Sequence, residues 1–146
     1  MYLCLMIVVM PLTSCSSDDD NGGQDPIIGK WKMVKSITEH FEGENKTSEN
    51  EKDLNEYYEE FEFKNDNSVV NTEYYPSSED PQDKDVFHGT YVMEGNELVI
   101  TYKYENEDDD VYEYTYSVSG NKLILVSSQE YGEQRKDVST DTFEKQ

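Results

Sequence analysis

The sequence predicts an all-β domain of eight antiparallel strands, on three observations. Two ten-residue segments repeat one another 25 residues apart, Tyr91–Ile100 (YVMEGNELVI) and Tyr116–Leu125 (YSVSGNKLIL). Each carries Gly-Asn between two alternating apolar and polar runs, the dipeptide that supplies the positive φ a two-residue hairpin turn needs. The remaining body is made of further short alternating runs divided by turn-forming residues. Eight such strands in about 120 residues either close into a barrel or pack as two sheets.

The elements follow in order. Lys30–Thr38 is the first strand, with Trp31, Met33, Lys35 and Ile37 on one face. Ser48-Glu49-Asn50-Glu51 then has the form of a capping box, and Leu54, Tyr57, Tyr58 and Phe61 have helical spacing. A short helix at about 49–56, feeding a strand, is therefore expected. Tyr57–Lys64 alternates through Phe61 and Phe63, and Asn65-Asp66-Asn67 turns it into Ser68–Tyr75. Pro76–Asp85 (PSSEDPQDKD) is a loop by composition. The segment His40–Glu56 is long enough to lie over one end of the domain as a lid.

The two Gly-Asn hairpins allow the register to be worked out. If Gly95 and Asn96 turn, Met93 opposes Leu98 and Tyr91 opposes Ile100. One face then reads Phe87, Tyr91, Met93, Leu98, Ile100, Tyr102, and the other His88, Thr90, Val92, Val99, Thr101, Lys103. In the second hairpin Val118 opposes Leu123 and Tyr116 opposes Leu125, which gathers Tyr112, Tyr114 and Tyr116 with the apolar residues. Both turns separate apolar from polar at the pairing they dictate, which a one-residue slip would destroy. Gln134–Phe143 is the last strand.

The charge narrows the partners. The 146 residues include 33 Asp plus Glu against 12 Lys plus Arg, a formal net charge of −21. Such a surface repels phosphate backbones, so nucleic acid is not an expected partner, and it disfavours docking on anionic headgroups. Membrane attachment, if there is any, is then covalent. Residues 1–14 (MYLCLMIVVMPLTS) carry no charged side chain and hold an apolar run too short to span a bilayer, as in a secretory signal.

Leu12-Thr13-Ser14-Cys15 directly after that run resembles the lipobox of bacterial lipoproteins. The resemblance implies a signal peptide over 1–14, cleavage before Cys15, palmitate-type acylation of Cys15, and multiple acyl chains that anchor stably. Ser16-Ser17-Asp18-Asp19-Asp20 resembles the signal that routes Bacteroidota lipoproteins to the outer face of the outer membrane. An acidic tether over 15–26 and a surface-exposed domain over 27–146 are the expected organisation.

Gly29-Lys30-Trp31 at the head of the first strand resembles the Gly-x-Trp signature of lipocalins. With IIGKWKMV, FEFKNDN, GTYVMEGNELVITY and YTYSVSGNKLILVSS in that order, the body resembles the lipocalin-like domains of Bacteroidota lipoproteins over residues 27–144. The resemblance implies an eight-stranded up-and-down β-barrel, with Gly29 and Trp31 in structural roles at its closed end.

Nothing in the sequence has the pattern of a catalytic or metal centre. There are two histidines, His40 and His88, and no Gly-x-Ser-x-Gly or phosphate loop. No enzyme activity, metal or cofactor is expected. Glu105–Asp110 reads as a solvated turn or as a loop of calcium-binding oxygens. The inward faces supply candidate ligand-binding residues: Lys35, Phe61, Phe63, Tyr91, Tyr102, Tyr112, Tyr114 and Tyr116. Tyrosine combines an apolar body with a hydroxyl that needs a partner when buried, which suits a small apolar or amphipathic ligand. Lys35, pointing inward, would meet a ligand anion or Glu59. The alternative is a filled barrel whose loops contact another envelope protein.

Overall fold

A computed structural model describes residues 25–76, 83–104, 107–132 and 134–146. The leader 1–14, Cys15 and the acidic run behind it lie outside the described residues. Nine antiparallel strands are present: β1 (Gly29–Glu42), β2 (Asn45–Glu51), β3 (Tyr58–Phe63), β4 (Ser68–Tyr74), β5 (Lys84–Glu94), β6 (Glu97–Tyr102), β7 (Asp110–Ser119), β8 (Lys122–Tyr131) and β9 (Arg135–Lys145). From β3 to β9 each strand pairs with the next in sequence, and β1 pairs with both β3 and β9. That last pairing closes an eight-stranded barrel, leaving β2 as an extra strand on the far half of β1.

Both hairpin registers are as the turns dictate. Met93 faces Leu98 and Tyr91 faces Ile100, while Val118 faces Leu123 and Tyr116 faces Leu125. Gly95 and Gly120 each have φ 61°, and glycine at the first central position makes a turn of type II′, whose twist matches that of the strands it joins. Between β3 and β4 the left-handed position is Asn67, at φ 62°. There the Asn67 amide donates to the Lys64 carbonyl and the Lys64 amide to the Ser68 carbonyl, a turn with an asparagine where glycine is more usual.

Two expectations are corrected. No helix forms over 49–56: Asn45–Glu51 is strand β2, followed by a turn. The backbone explains this. β3 covers only Gly29–Lys32 of β1, so the same edge of β1 from Ile37 to Glu42 would be bare, and β2 pairs with it. The Asp53 carboxylate accepts from the Asn55 amide at 2.9 Å, which fixes the turn that the helical spacing resembled. The segment is thus an extension of the wall, with every side chain of β2 exposed.

The second correction is Lys35, expected inside. Opposite β9 the register slips between Met33 and Lys35: Met33 faces Phe143 and Lys35 faces Thr142. Val34 is the extra residue of a β-bulge, and a bulge reverses which residues of the strand point inward beyond it. Ser36, not Lys35, is buried. Lys35 lies outside, 3.9 Å from the Glu51 carboxylate.

The interior has two tiers. The lower tier is a packed core of Ile27, Trp31, Phe61, Phe63, Val69, Leu98, Ile100, Leu123, Leu125 and Phe143, each essentially inaccessible. Its rings meet edge to face, with Phe61 5.4 Å from Phe143 and Phe63 5.1 Å from Tyr91. Trp31 closes the end: its indole N–H donates to the Ile27 carbonyl at 2.7 Å. Gly29 permits this, since a Cβ there would lie 2.8 Å from the Lys145 side chain, whose ammonium sits over the Trp31 ring. The upper tier is different in kind.

Candidate functional site

Above the apolar floor, the inward positions of the same strands turn polar. On β3 the inward series Phe63, Phe61 continues to Glu59, and on β4 Val69 continues to Asn71 and Glu73. Paired residues across the two strands confirm the shared face: Phe61 with Asn71, Glu59 with Glu73. Phe87 on β5 faces Asn71, and Tyr102 on β6 and Tyr112 and Tyr114 on β7 complete the wall. These residues, with Tyr104 and Asp110 at the rim, line a cavity of about 280 Å³. That is the small end of the ~300–1,000 Å³ range of small-molecule sites.

Gly89 shapes this space. It lies on the inward face of β5 opposite Tyr102, and a Cβ there would come within 2.8 Å of the Tyr102 ring and 2.6 Å of the Thr101 carbonyl. The missing side chain lets Tyr102 lie back against the wall. Tyr102 then packs edge to face on Tyr112 at 5.7 Å and tilted against Phe87 at 5.9 Å.

Two mouth tyrosines orient the carboxylates. The Tyr57 hydroxyl donates to Glu59 in a short bond, and the Tyr75 hydroxyl donates to Glu73 at 2.7 Å. Each pair is two residues apart in sequence, with the tyrosine just beyond the end of the strand that carries its carboxylate, and the two rings pack together at 5.6 Å. Asn71 differs: its side chain bonds the Tyr102 hydroxyl, but its own acceptor, Oδ1, receives no bond. The residue is 6% exposed. A buried unsatisfied acceptor costs about 1–3 kcal/mol, so this atom is a place where a ligand donor gains most.

The electrostatics follow from burial and from crowding of like charge. Burial lifts the Glu59 carboxyl to about 7; the bond from Tyr57 and the Lys52 ammonium oppose the rise, and Asp141 and Glu73 reinforce it. Burial also raises Asp141, against a bond from Ser36 and the charge of Lys52. The Tyr57, Tyr102 and Tyr114 hydroxyls are pushed far up, first by burial and with a contribution from Glu59, against a bond from Asn71 at Tyr102, so they stay neutral. Lys52 itself sits at the mouth, 3.9 Å over the Tyr57 ring.

The sequence-derived candidates divide between the tiers. Tyr102, Tyr112 and Tyr114 line the cavity. Phe61, Phe63 and Tyr91 are inward but belong to the packed floor, where the Tyr91 hydroxyl donates to the Lys64 carbonyl at 2.9 Å. Tyr116 packs against that core and does not line the cavity. Lys35 is outside. Glu73, Asn71, Phe87 and Gly89 were missed as site residues, and Glu59 entered only as a partner for Lys35. Their signal was parity: each shares its strand's inward alternation with a residue recognised as apolar core.

A second concavity, about 570 Å³, lies between the β1–β2 and β8–β9 hairpins and includes His40, Thr47, Arg135 and Asp137. Its central polar groups are partnered within the protein. The Asp137 carboxylate accepts from His40 Nδ1 at 2.7 Å, and Asn50 donates to His40 Nε2 at 3.0 Å. These bonds pin β9 and β2 to β1 and leave the ring with no free nitrogen. Among the described residues no group of three or more His, Cys, Asp or Glu is placed to hold a metal ion.

A closed antiparallel barrel with a sealed apolar floor and a small cavity at its other end defines the class of up-and-down β-barrels. The lipocalin-like domain model matches residues 27–125, and the chain belongs to that family. A lipocalin-like protein from Bacteroides uniformis ATCC 8492 has a similar solved structure, with TM-score 0.52 and 16% identity, covering 84% of this chain and 100% of that one. At that identity the likeness is one of fold. No curated protein matches the chain.

Proposed function

We propose that the chain is a lipoprotein, anchored through Cys15 at the outer face of the outer membrane, whose barrel binds a small amphipathic molecule in the cavity between β3 and β7. The observation that carries the binding half is the unfilled upper tier, where the buried Asn71 Oδ1 lacks a donor. A barrel serving only as a packed interaction module has no reason to keep that space, whereas its lower half is filled completely. Support for the anchor is the order of the apolar leader, Leu12-Thr13-Ser14-Cys15 and Ser16–Asp20. Palmitate-type acylation at Cys15 would hold the domain on a short acidic tether, with no catalytic step and no cofactor. Neighbouring envelope proteins remain partners for the outer surface under the alternative reading.

Native mass spectrometry on the chain from Asp25 onward, purified without detergent, tests the binding half. The expected result is a reproducible added mass, or a mass gained from a metabolite panel, that Tyr114→Ala removes. A bare mass with no shift from any compound overturns it in favour of the interaction module.

A further inference from the structure

The cavity has one electrostatic bias: its ionisable lining groups are carboxylates and neutral tyrosines, and none carries a positive charge. Glu59, Glu73 and Asp110 are carboxylates, and Asn71 offers Oδ1. At the mouth the Tyr57 and Tyr75 hydroxyls donate to Glu59 and Glu73, and the wall hydroxyls of Tyr102, Tyr112 and Tyr114 are neutral donors that cannot balance the charge of the acids. No lysine or arginine is among the lining residues, and Lys52 stays at the mouth over Tyr57. An anion placed here meets three carboxylates and no cation. A purely apolar ligand leaves Asn71 unsatisfied and removes water from the acids without replacing it.

Building on the binding reading above, we propose that the ligand is a small organic cation: an ammonium or amidinium group on a ring-bearing body. The charged end takes the space between Glu59 and Glu73 with an N–H directed to Asn71 Oδ1. The body lies against Phe87, Tyr102, Tyr112 and Tyr114, whose ring faces attract cations as well as apolar surface. A unit charge beside a carboxylate in this poorly solvated setting gains more than its desolvation costs, giving a net preference of about tenfold or more over a neutral isostere.

Binding of a cation is coupled to the Glu59 proton. The groups around that carboxyl are Tyr57 just before β3, Glu73 from β4, Tyr102 from β6, Asp110, Tyr112 and Tyr114 from β7, Asp141 from β9, and Lys52 at the mouth. The carboxyl holds its proton to about pH 7 in the empty barrel. An arriving ammonium favours the carboxylate, and the proton leaves to solvent.

Three probes with one body and three charges decide the matter: 2-phenylethylammonium, 2-phenylethanol and phenylacetate, titrated calorimetrically into the full chain and into Glu59→Gln. The ammonium is expected to bind at least tenfold tighter than the alcohol at about pH 8, with phenylacetate weakest. Its affinity is expected to rise about tenfold from pH 6 to pH 8, following ionisation of Glu59. Glu59→Gln should cost the ammonium about tenfold, narrow its advantage over the alcohol and abolish the pH dependence. If the alcohol or phenylacetate binds as well as the ammonium, or if Glu59→Gln leaves ammonium binding intact, the cation assignment falls while the cavity reading stands. If none of the three binds at millimolar concentration, both fall together.

Discussion

Glu59→Gln has a consequence for stability that can be worked out without any ligand. In the folded barrel the carboxyl holds its proton to about 7, against an ordinary value of 4.5. Between those two pH values the native state binds a proton that the unfolded chain has released. The stability contributed is therefore full below the ordinary value and is lost as pH rises through about 7. At ~1.4 kcal/mol per pH unit the loss amounts to about 3 kcal/mol, or roughly 10 °C in Tm for a chain of this size. Glutamine keeps the shape and cannot ionise. Urea unfolding of both proteins from about pH 4.5 to pH 8, with the wild-type curve subtracted, isolates this group from titrations the two share, Asp141 included. The variant should gain about 3 kcal/mol relative to wild type across that range. A difference that stays flat with pH, or a variant that loses ground as pH rises, would refute the argument that Glu59 is an acid held in a poorly solvated, anionic setting.

Other substitutions separate floor from cavity. Trp31→Ala removes the largest fully buried side chain and should cost about 3–5 kcal/mol in urea unfolding. Lys35→Ala should change stability by no more than about 0.5 kcal/mol and leave ligand uptake alone, because the side chain is outside; a large loss of binding would contradict the bulge. Gly89→Ala should crowd both the Tyr102 ring and the Thr101 carbonyl, so that uptake drops at least tenfold and the urea midpoint falls; unchanged uptake would contradict the role given to Gly89. Cys15→Ser should abolish incorporation of labelled palmitate and release the chain from the membrane fraction, an outcome read by gel and fractionation.

The parts of this fold that were legible in the sequence are those fixed locally. The two Gly-Asn turns set register, and alternation on either side then set the faces, so Met93, Leu98, Val118 and Leu123 fell on the inside without reference to anything distant. Lys35 was misplaced because a bulge is a relation between two strands: the slip shows only when Met33 and Lys35 are set against Phe143 and Thr142. Strand β2 was unreadable for a related reason. NKTSENE has no apolar residue to give it a period, and it is a strand because the edge of β1 needs a partner. The site was half legible. Tyrosines were sought and Tyr102, Tyr112 and Tyr114 were found, but among so many surface acids Glu73 drew no notice and Glu59 entered only as a partner for Lys35, until their parity with Phe61 and Val69 was enforced by pairing.

The division of the barrel into a sealed floor and an acidic upper tier separates two kinds of selection. Positions 31, 61, 63, 98, 100, 123, 125 and 143 answer to folding, and almost any polar change there endangers the whole chain. Positions 59, 71, 73, 87, 112 and 114 rest on a foundation that does not need them, so they are open to drift. Exchanging the carboxylates there for lysine or serine would redirect the cavity to anions or sugars while the strands beneath kept their register. One architecture can in this way serve a lineage of barrels with unlike ligands, its specificity rewritten at one end while the other is conserved by the demands of packing.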